Sequence, residues 1–165
     1  MKPLLLVDVD GVLSLFSGPG EEAPIRPDTH FHNEHGMGHL IALDNCARLA
    51  TLQDSYDLVW ATGWEEKAND ELLRIVGLPE RLPVISFDKG KGKYDHQAHW
   101  KLGAIEEFIG DRPTAWLDDA LDEACFDWAT ERTFPTLLVK VESRVGLDDD
   151  ACRQLKDWAE LTLRG

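Results

Sequence analysis

Leu4-Leu5-Leu6-Val7-Asp8-Val9-Asp10-Gly11-Val12 is the stretch that decides how this chain folds. Four aliphatic residues in a row, with no polar residue between them, suit a strand covered on both faces. Two carboxylates follow, Asp8 and Asp10, and then a glycine. Side chains alternate sides along a strand, so residues two apart project the same way. Gly11 lets the backbone turn sharply away at that point. Two like charges held this close are costly unless a shared proton or a cation compensates them. A hard divalent cation that prefers oxygen ligands, such as magnesium, would do so.

Further along the chain, residues 58–61, 114–117 and 136–141 form similar apolar runs, and 84–87 is a weaker fifth. Between them lie stretches of helical character at 40–52, 65–76, 100–108, 121–130 and 149–163. Alternation of this kind predicts a doubly wound α/β domain with a mainly parallel, five-stranded sheet. Residues 1–165 read as one domain, a size at which a full core needs no staples. Two loops are long: 14–38, rich in Gly, Pro and His, and 88–99, which carries Lys89, Lys91 and Lys93. Loops beyond about 12–15 residues in a compact domain tend to be functional or disordered.

Open α/β sheets bind ligands at the carboxyl ends of their strands, so the residues just after each run carry the chemistry. The second run leads into Thr62-Gly63-Trp64, a hydroxyl and backbone N–H groups able to donate to a phosphoryl oxygen. The run at 114–117 leads into Asp118-Asp119, with Asp122 a helical turn beyond Asp118. Lys101 opens the helix before that strand. Each piece alone is unspecific, since a Thr-Gly after a strand can be no more than a helix cap. The information is in the order: acid pair, hydroxyl, lysine, acid pair.

In that order the chain resembles the haloacid dehalogenase-like (HAD) superfamily. Asp8-Val9-Asp10-Gly11-Val12 looks like its motif I, Thr62 like motif II, Lys101 like motif III and Asp118-Asp119 like motif IV. The resemblance implies a Rossmann-like three-layer sandwich and a magnesium-dependent phosphoryl-transfer enzyme. By the same resemblance Asp8 is the nucleophile that forms an aspartyl-phosphate, and Asp10 the acid and base. Thr62 and Lys101 would hold the phosphoryl oxygens, with Gly63 and Trp64 also facing the substrate. Magnesium would be bound by Asp8, the backbone carbonyl of Asp10, Asp118 and Asp119. Motif IV fits either Asp118 with Asp119 or Asp118 with Asp122. Lys91 or Lys93 could take the motif III role, although the spacing from Lys101 to Asp118, one helix plus one strand, favours Lys101. An Asp at position 10 is the pattern of phosphatases and phosphomutases rather than of dehalogenases. A phosphatase acting on a small phosphorylated substrate is therefore the expected function. A phosphomutase or a binding module that keeps the fold are the rivals.

In this family the segment after motif I supplies a flap or cap, and 14–38 is long enough for a flap. That reading also accounts for His30, His32, His35 and His39, which lack the ordered spacing of a zinc site on one helix. The three loop lysines either grip the distal part of an anionic substrate or are simply solvated. Trp60 and Trp116 read as core, whereas Trp64 lies beyond its strand and could stack on a substrate ring. Asp148, Asp149 and Asp150 precede the last helix and read as capping and dipole stabilisation.

Composition narrows the partners. Against 17 basic side chains stand 31 acidic ones, a formal net charge of −14, which repels a long phosphate backbone. No extended nucleic-acid footprint is expected, while a small phosphorylated ligand, held by local groups, is compatible. Cys46, Cys125 and Cys152 are odd in number and widely spaced, which argues against a disulfide framework. The apolar run at 4–7 meets Asp8 and Asp10 at once, too short for a signal peptide or a membrane span. A cytoplasmic location is the expectation, and the oligomeric state is not legible.

Overall fold

A computed structural model describes residues 1–34, 36–87 and 97–164. The apolar run that follows Pro3 forms β1 (Leu4–Val7), the first of seven strands among the described residues. β2 (Ser14–Leu15), β3 (Thr29–Glu34) and β4 (Met37–Ala42) follow, then α1 (Leu43–Leu52) and β5 (Asp57–Trp60). The remainder is α2 (Glu66–Val76), a 3₁₀ turn (Ala98–Lys101), α3 (Leu102–Ile109), β6 (Thr114–Asp118), α4 (Glu123–Glu131), β7 (Thr136–Lys140) and α5 (Asp149–Arg164).

The main sheet is parallel with strand order β5-β1-β6-β7, so the motif I strand is interior and flanked by the strands of motifs II and IV. The period-two alternation assigns side chains to two cores. Leu5, Val7, Leu58, Trp60, Ala115 and Leu117 face one way and pack with Leu49 and Leu52 of α1, Leu72 of α2 and Leu155 of α5. Leu4, Leu6, Val59 and Trp116 face the other way and pack with Ile105 of α3 and Cys125 of α4. Helices thus cover both faces, which gives the three-layer α/β arrangement expected from the unbroken apolar runs. Trp60 and Trp116 are fully buried, as the sequence led one to expect.

Among the described residues the main sheet has four strands rather than five. Residues 84–87 contribute only a single bridge, Trp60 to Val84, closed by Trp60 N–H to Pro83 O and Ile85 N–H to Trp60 O. Pro83 has no N–H, so the pairing cannot run back along the chain from there. Lys89, Lys91 and Lys93, with the rest of 88–96, lie outside the described residues.

The long segment after motif I folds into a second, antiparallel sheet of order β2-β4-β3. It starts at Ser14 as expected but extends past Gly38 to Ala42, so residues 40–42, anticipated as the start of a helix, belong to a strand. The reason is register: Leu40 pairs with Leu15 and Phe31, and Ile41 pairs with Ser14 and His30. Buried Asn45 at the start of α1 anchors the base of this flap, donating to Val12 O (3.0 Å) and Val145 O (2.9 Å). Among the described residues no helix is long and apolar enough to cross a membrane. Cys46, Cys125 and Cys152 are buried free thiols.

Candidate active site

The strand register brings the motif residues to one edge. Val7 pairs with both Trp60 and Leu117, so the next residues, Asp8, Ala61-Thr62 and Asp118, emerge side by side at the carboxyl ends of β1, β5 and β6. Asp8 is 8% exposed, Lys101 4%, and Asp118 and Thr62 are fully buried. Ionisable groups are rarely this buried unless they are paired or hold an ion.

Among the described residues, Lys101 supplies the one pairing cation placed against this group. Its Nζ donates to Asp118 Oδ2 at 2.7 Å and to Ala61 O at 2.9 Å, and lies 3.4 Å from Asp8 Oδ1. The lysine sits on the 3₁₀ turn before α3, and the Ala98 N–H to Ala120 O bond ties that turn to the end of β6. Burial opposes its charge, but Asp8 and Asp118 more than compensate and hold its pKa above the usual lysine value.

The acids stay under-compensated. One ligand oxygen each from Asp8, Asp118 and Asp119 lies within 4.8 Å of the others, and among the described residues the group faces a single lysine. Burial drives the pKa of Asp8 well above the usual carboxylate range; Lys101 opposes this, and Asp118, Asp10 and Asp119 add to it. Burial and then Asp118 push Asp119 up to about 7. An all-oxygen, surplus-negative cluster fits a hard divalent cation in charge and donor type. Glycine 11 is required here for space as well as for its φ of +77°: a Cβ there would collide with the Asp119 side chain.

Asp122, the alternative to Asp119, is engaged elsewhere. Its carboxylate accepts from the His99 N–H at 3.1 Å and bonds His99 Nδ1 at 2.9 Å, and it caps α4 through the Cys125 N–H. The Asp10 side chain also stands apart from the three-acid cluster. It is half exposed at the mouth of the site, with Oδ2 accepting from Trp64 Nε1–H at 3.1 Å and Oδ1 3.8 Å from His39 Nδ1.

On the motif II side, the Thr62 hydroxyl oxygen accepts from the Trp64 N–H at 3.2 Å, which leaves its proton available for donation. Glu65 has a φ of +49°, a strained conformation for a non-glycine residue, and its Oε1 accepts from the Phe87 N–H. Trp64 is only 9% exposed, its ring edge-on to His39 with centroids 4.6 Å apart and 6.4 Å from His32. Little of that ring is open for the substrate stacking anticipated from its place beyond the strand.

The flap histidines have separate partners. His39 Nδ1 is 3.1 Å from Ser14 Oγ, and His32 Nε2 is 3.3 Å from a Glu71 carboxylate oxygen. Among the described residues they form no converging group with other ligands, and His35 lies outside them. The contact of His39 with Asp10 and Trp64 was not visible in sequence; its only signal was a histidine-rich segment close behind the acid pair. Asp148 caps α5 by accepting from the Ala151 N–H at 2.8 Å, in keeping with a capping reading of that acid run. Size alone would not have found the site: a cleft of about 830 Å³ between β7 and α5 holds none of Asp8, Asp10, Thr62, Lys101, Asp118 and Asp119.

Neither curated proteins nor solved structures yield a match to this chain. A family model does, described as the HAD domain in Swiss Army Knife RNA repair proteins, and it spans residues 4–152, which take in every motif residue named above. With that model covering most of its length, the chain belongs to this HAD family and is a HAD-like hydrolase.

Proposed function

We propose that the protein is a magnesium-dependent phosphatase that cleaves phosphoric monoesters through a phosphoryl group carried on Asp8. The observation that carries this reading is the placement of Lys101 between Asp8 and Asp118, beside three converging carboxylates. Such an arrangement is built to hold concentrated negative charge, which is what attack on a phosphate dianion requires. Asp8, Asp118 and Asp119, with the main-chain carbonyl of Asp10, are the residues that would hold magnesium. When bound, the ion neutralises charge on the phosphoryl oxygens and on the nucleophile.

The chain's own groups then divide the work. An Asp8 carboxylate oxygen forms a bond to phosphorus as the bond to the leaving oxygen breaks. Asp10, half exposed at the mouth, donates a proton to that leaving oxygen. Asp10 then takes a proton from water, whose oxygen attacks phosphorus and displaces Asp8, releasing inorganic phosphate. Thr62 and Lys101 donate to the phosphoryl oxygens, and Lys101 favours the ionised form of Asp8 against the effect of its burial.

The family description names RNA repair proteins, which supports a phosphorylated RNA end as a substrate, since a terminal phosphate is a monoester. The net charge of −14 supports a second reading, a small phosphorylated metabolite, because no long backbone would be gripped. Release of inorganic phosphate from an aryl phosphate with magnesium tests the reaction. A terminally phosphorylated oligoribonucleotide set beside a phosphometabolite panel tests the substrate. Turnover of the aryl phosphate is expected; none, with the protein folded and magnesium present, would contradict the reading and leave a binding role or a strict mutase.

A further inference from the structure

Asp10 is asked to present a carboxyl group to a leaving oxygen from a half-exposed position on a loop. An aspartate there can rotate about two side-chain bonds, and each misplaced conformer slows proton transfer. Two groups restrain it, one near each carboxylate oxygen. The Trp64 indole N–H donates to Oδ2 at 3.1 Å, and His39 of β4 lies 3.8 Å from Oδ1. The indole itself is fixed: its backbone N–H is bonded to the Thr62 hydroxyl, and the His39 ring packs edge-on against it. His39 is held in turn by Ser14 Oγ at the base of the flap. An unbroken series of contacts therefore runs from motif II through Trp64 to Asp10 and into the flap.

We infer that Trp64 is a positioning residue for Asp10, with His39 bracing the indole from the flap. An indole N–H can donate but never accept. Bonded to Oδ2, it directs the proton of the carboxylic acid form to Oδ1, the oxygen that then serves the leaving group. Tryptophan is needed for its N–H, and a ring of similar shape without that donor would pack yet fail to orient the acid. The inference rests on the role proposed for Asp10 above.

The test compares two aryl phosphates by kcat/KM, which reports the reaction up to departure of the phenol. Phenyl phosphate has a poor leaving group that needs Asp10's proton; dinitrophenyl phosphate has one that leaves unprotonated. Trp64→Phe is expected to lower kcat/KM for phenyl phosphate by about 10- to 100-fold, the scale of a misplaced catalytic group, and to lower it several-fold less for dinitrophenyl phosphate. His39→Gln should shift the ratio of the two in the same direction by a smaller factor. An equal loss on both substrates, or an unchanged ratio, in folded Trp64→Phe would overturn the inference. If Trp64→Phe does not fold, an unchanged ratio in His39→Gln does the same. Asp10→Asn separates the two layers. If it shows the leaving-group signature and Trp64→Phe does not, only the positioning role fails. If Asp10→Asn lacks the signature, the role of Asp10 fails and this inference with it.

Discussion

Lys101 shows how one side chain sets the electrostatics of the whole site. It is buried with its ammonium against Asp118, Asp8 and the carbonyl of Ala61, so its loss would leave two buried acids facing each other. Lys101→Met keeps the length and removes the charge. We expect kcat to fall by about 10²–10³-fold, the scale for removing one preorganised donor at a developing charge. Steady-state kinetics checks this, and a loss below threefold would show that another cation holds the phosphoryl group. Asp8, Asp118 and Lys101 were legible in sequence because each follows or precedes an apolar run at a set place in the α/β order. Trp64 was not read in the same way. A tryptophan just past a strand suggests an open ring, whereas here its N–H donates to Asp10 and its ring packs against His39 of β4.

Among the elements, the 3₁₀ turn and α4 decide which acid completes the metal group. Asp122 fastens the two together, accepting from His99 at the turn and from the Cys125 N–H at the start of α4. Asp119 instead lies against Gly11 and faces Asp8 and Asp118. Asp122→Ala should therefore cost about 1 kcal/mol of stability, the usual loss of a helix cap, with magnesium affinity little changed. Asp119→Asn should weaken magnesium by about 10-fold or more, at least what loss of a supporting group costs. Calorimetric titration with magnesium distinguishes them, and the reverse pattern would exchange the roles of the two acids. The strands of the parallel sheet were readable to within two residues because unbroken apolar runs mean burial on both faces. The hairpin of β3 and β4 was not. Thr29-His30-Phe31-His32-Asn33-Glu34 mixes polar and aromatic residues, and Phe31 and Met37 are exposed, so no continuous apolar face marks it. Leu40 and Ile41 sit at helical spacing from the residues of α1 and were read with that helix, although their partners are strands.

For the molecule as a whole, the acid cluster couples folding to pH and metal. Asp8 and Asp119 have folded pKa values above the ordinary carboxylate value of 3.8, Asp119 at about 7. Between about pH 4 and pH 7 the unfolded chain has released the Asp119 proton while the folded chain still holds it, and the raised pKa of Asp8 acts in the same direction. Stability of the metal-free protein must then fall as pH rises through that window. Magnesium binds the ionised, folded site and should reverse the loss. At roughly 100 times its dissociation constant it should raise Tm by about 5–10 °C at pH 7.5, and by much less at pH 5. Thermal unfolding with and without chelator measures this, and a Tm indifferent to magnesium at pH 7.5 would remove the ion from the cluster. The central claim remains that the phosphoryl group passes through Asp8. Rapid-quench mass spectrometry of Asp10→Asn after mixing with dinitrophenyl phosphate tests it most directly. That variant keeps the nucleophile, and its leaving group needs no proton, but it lacks the base for the second step. The account predicts an adduct of about 80 Da, the mass of an added phosphoryl group, on the peptide carrying Asp8, and none in Asp8→Asn. An adduct on another residue, or one that persists in Asp8→Asn, would contradict it.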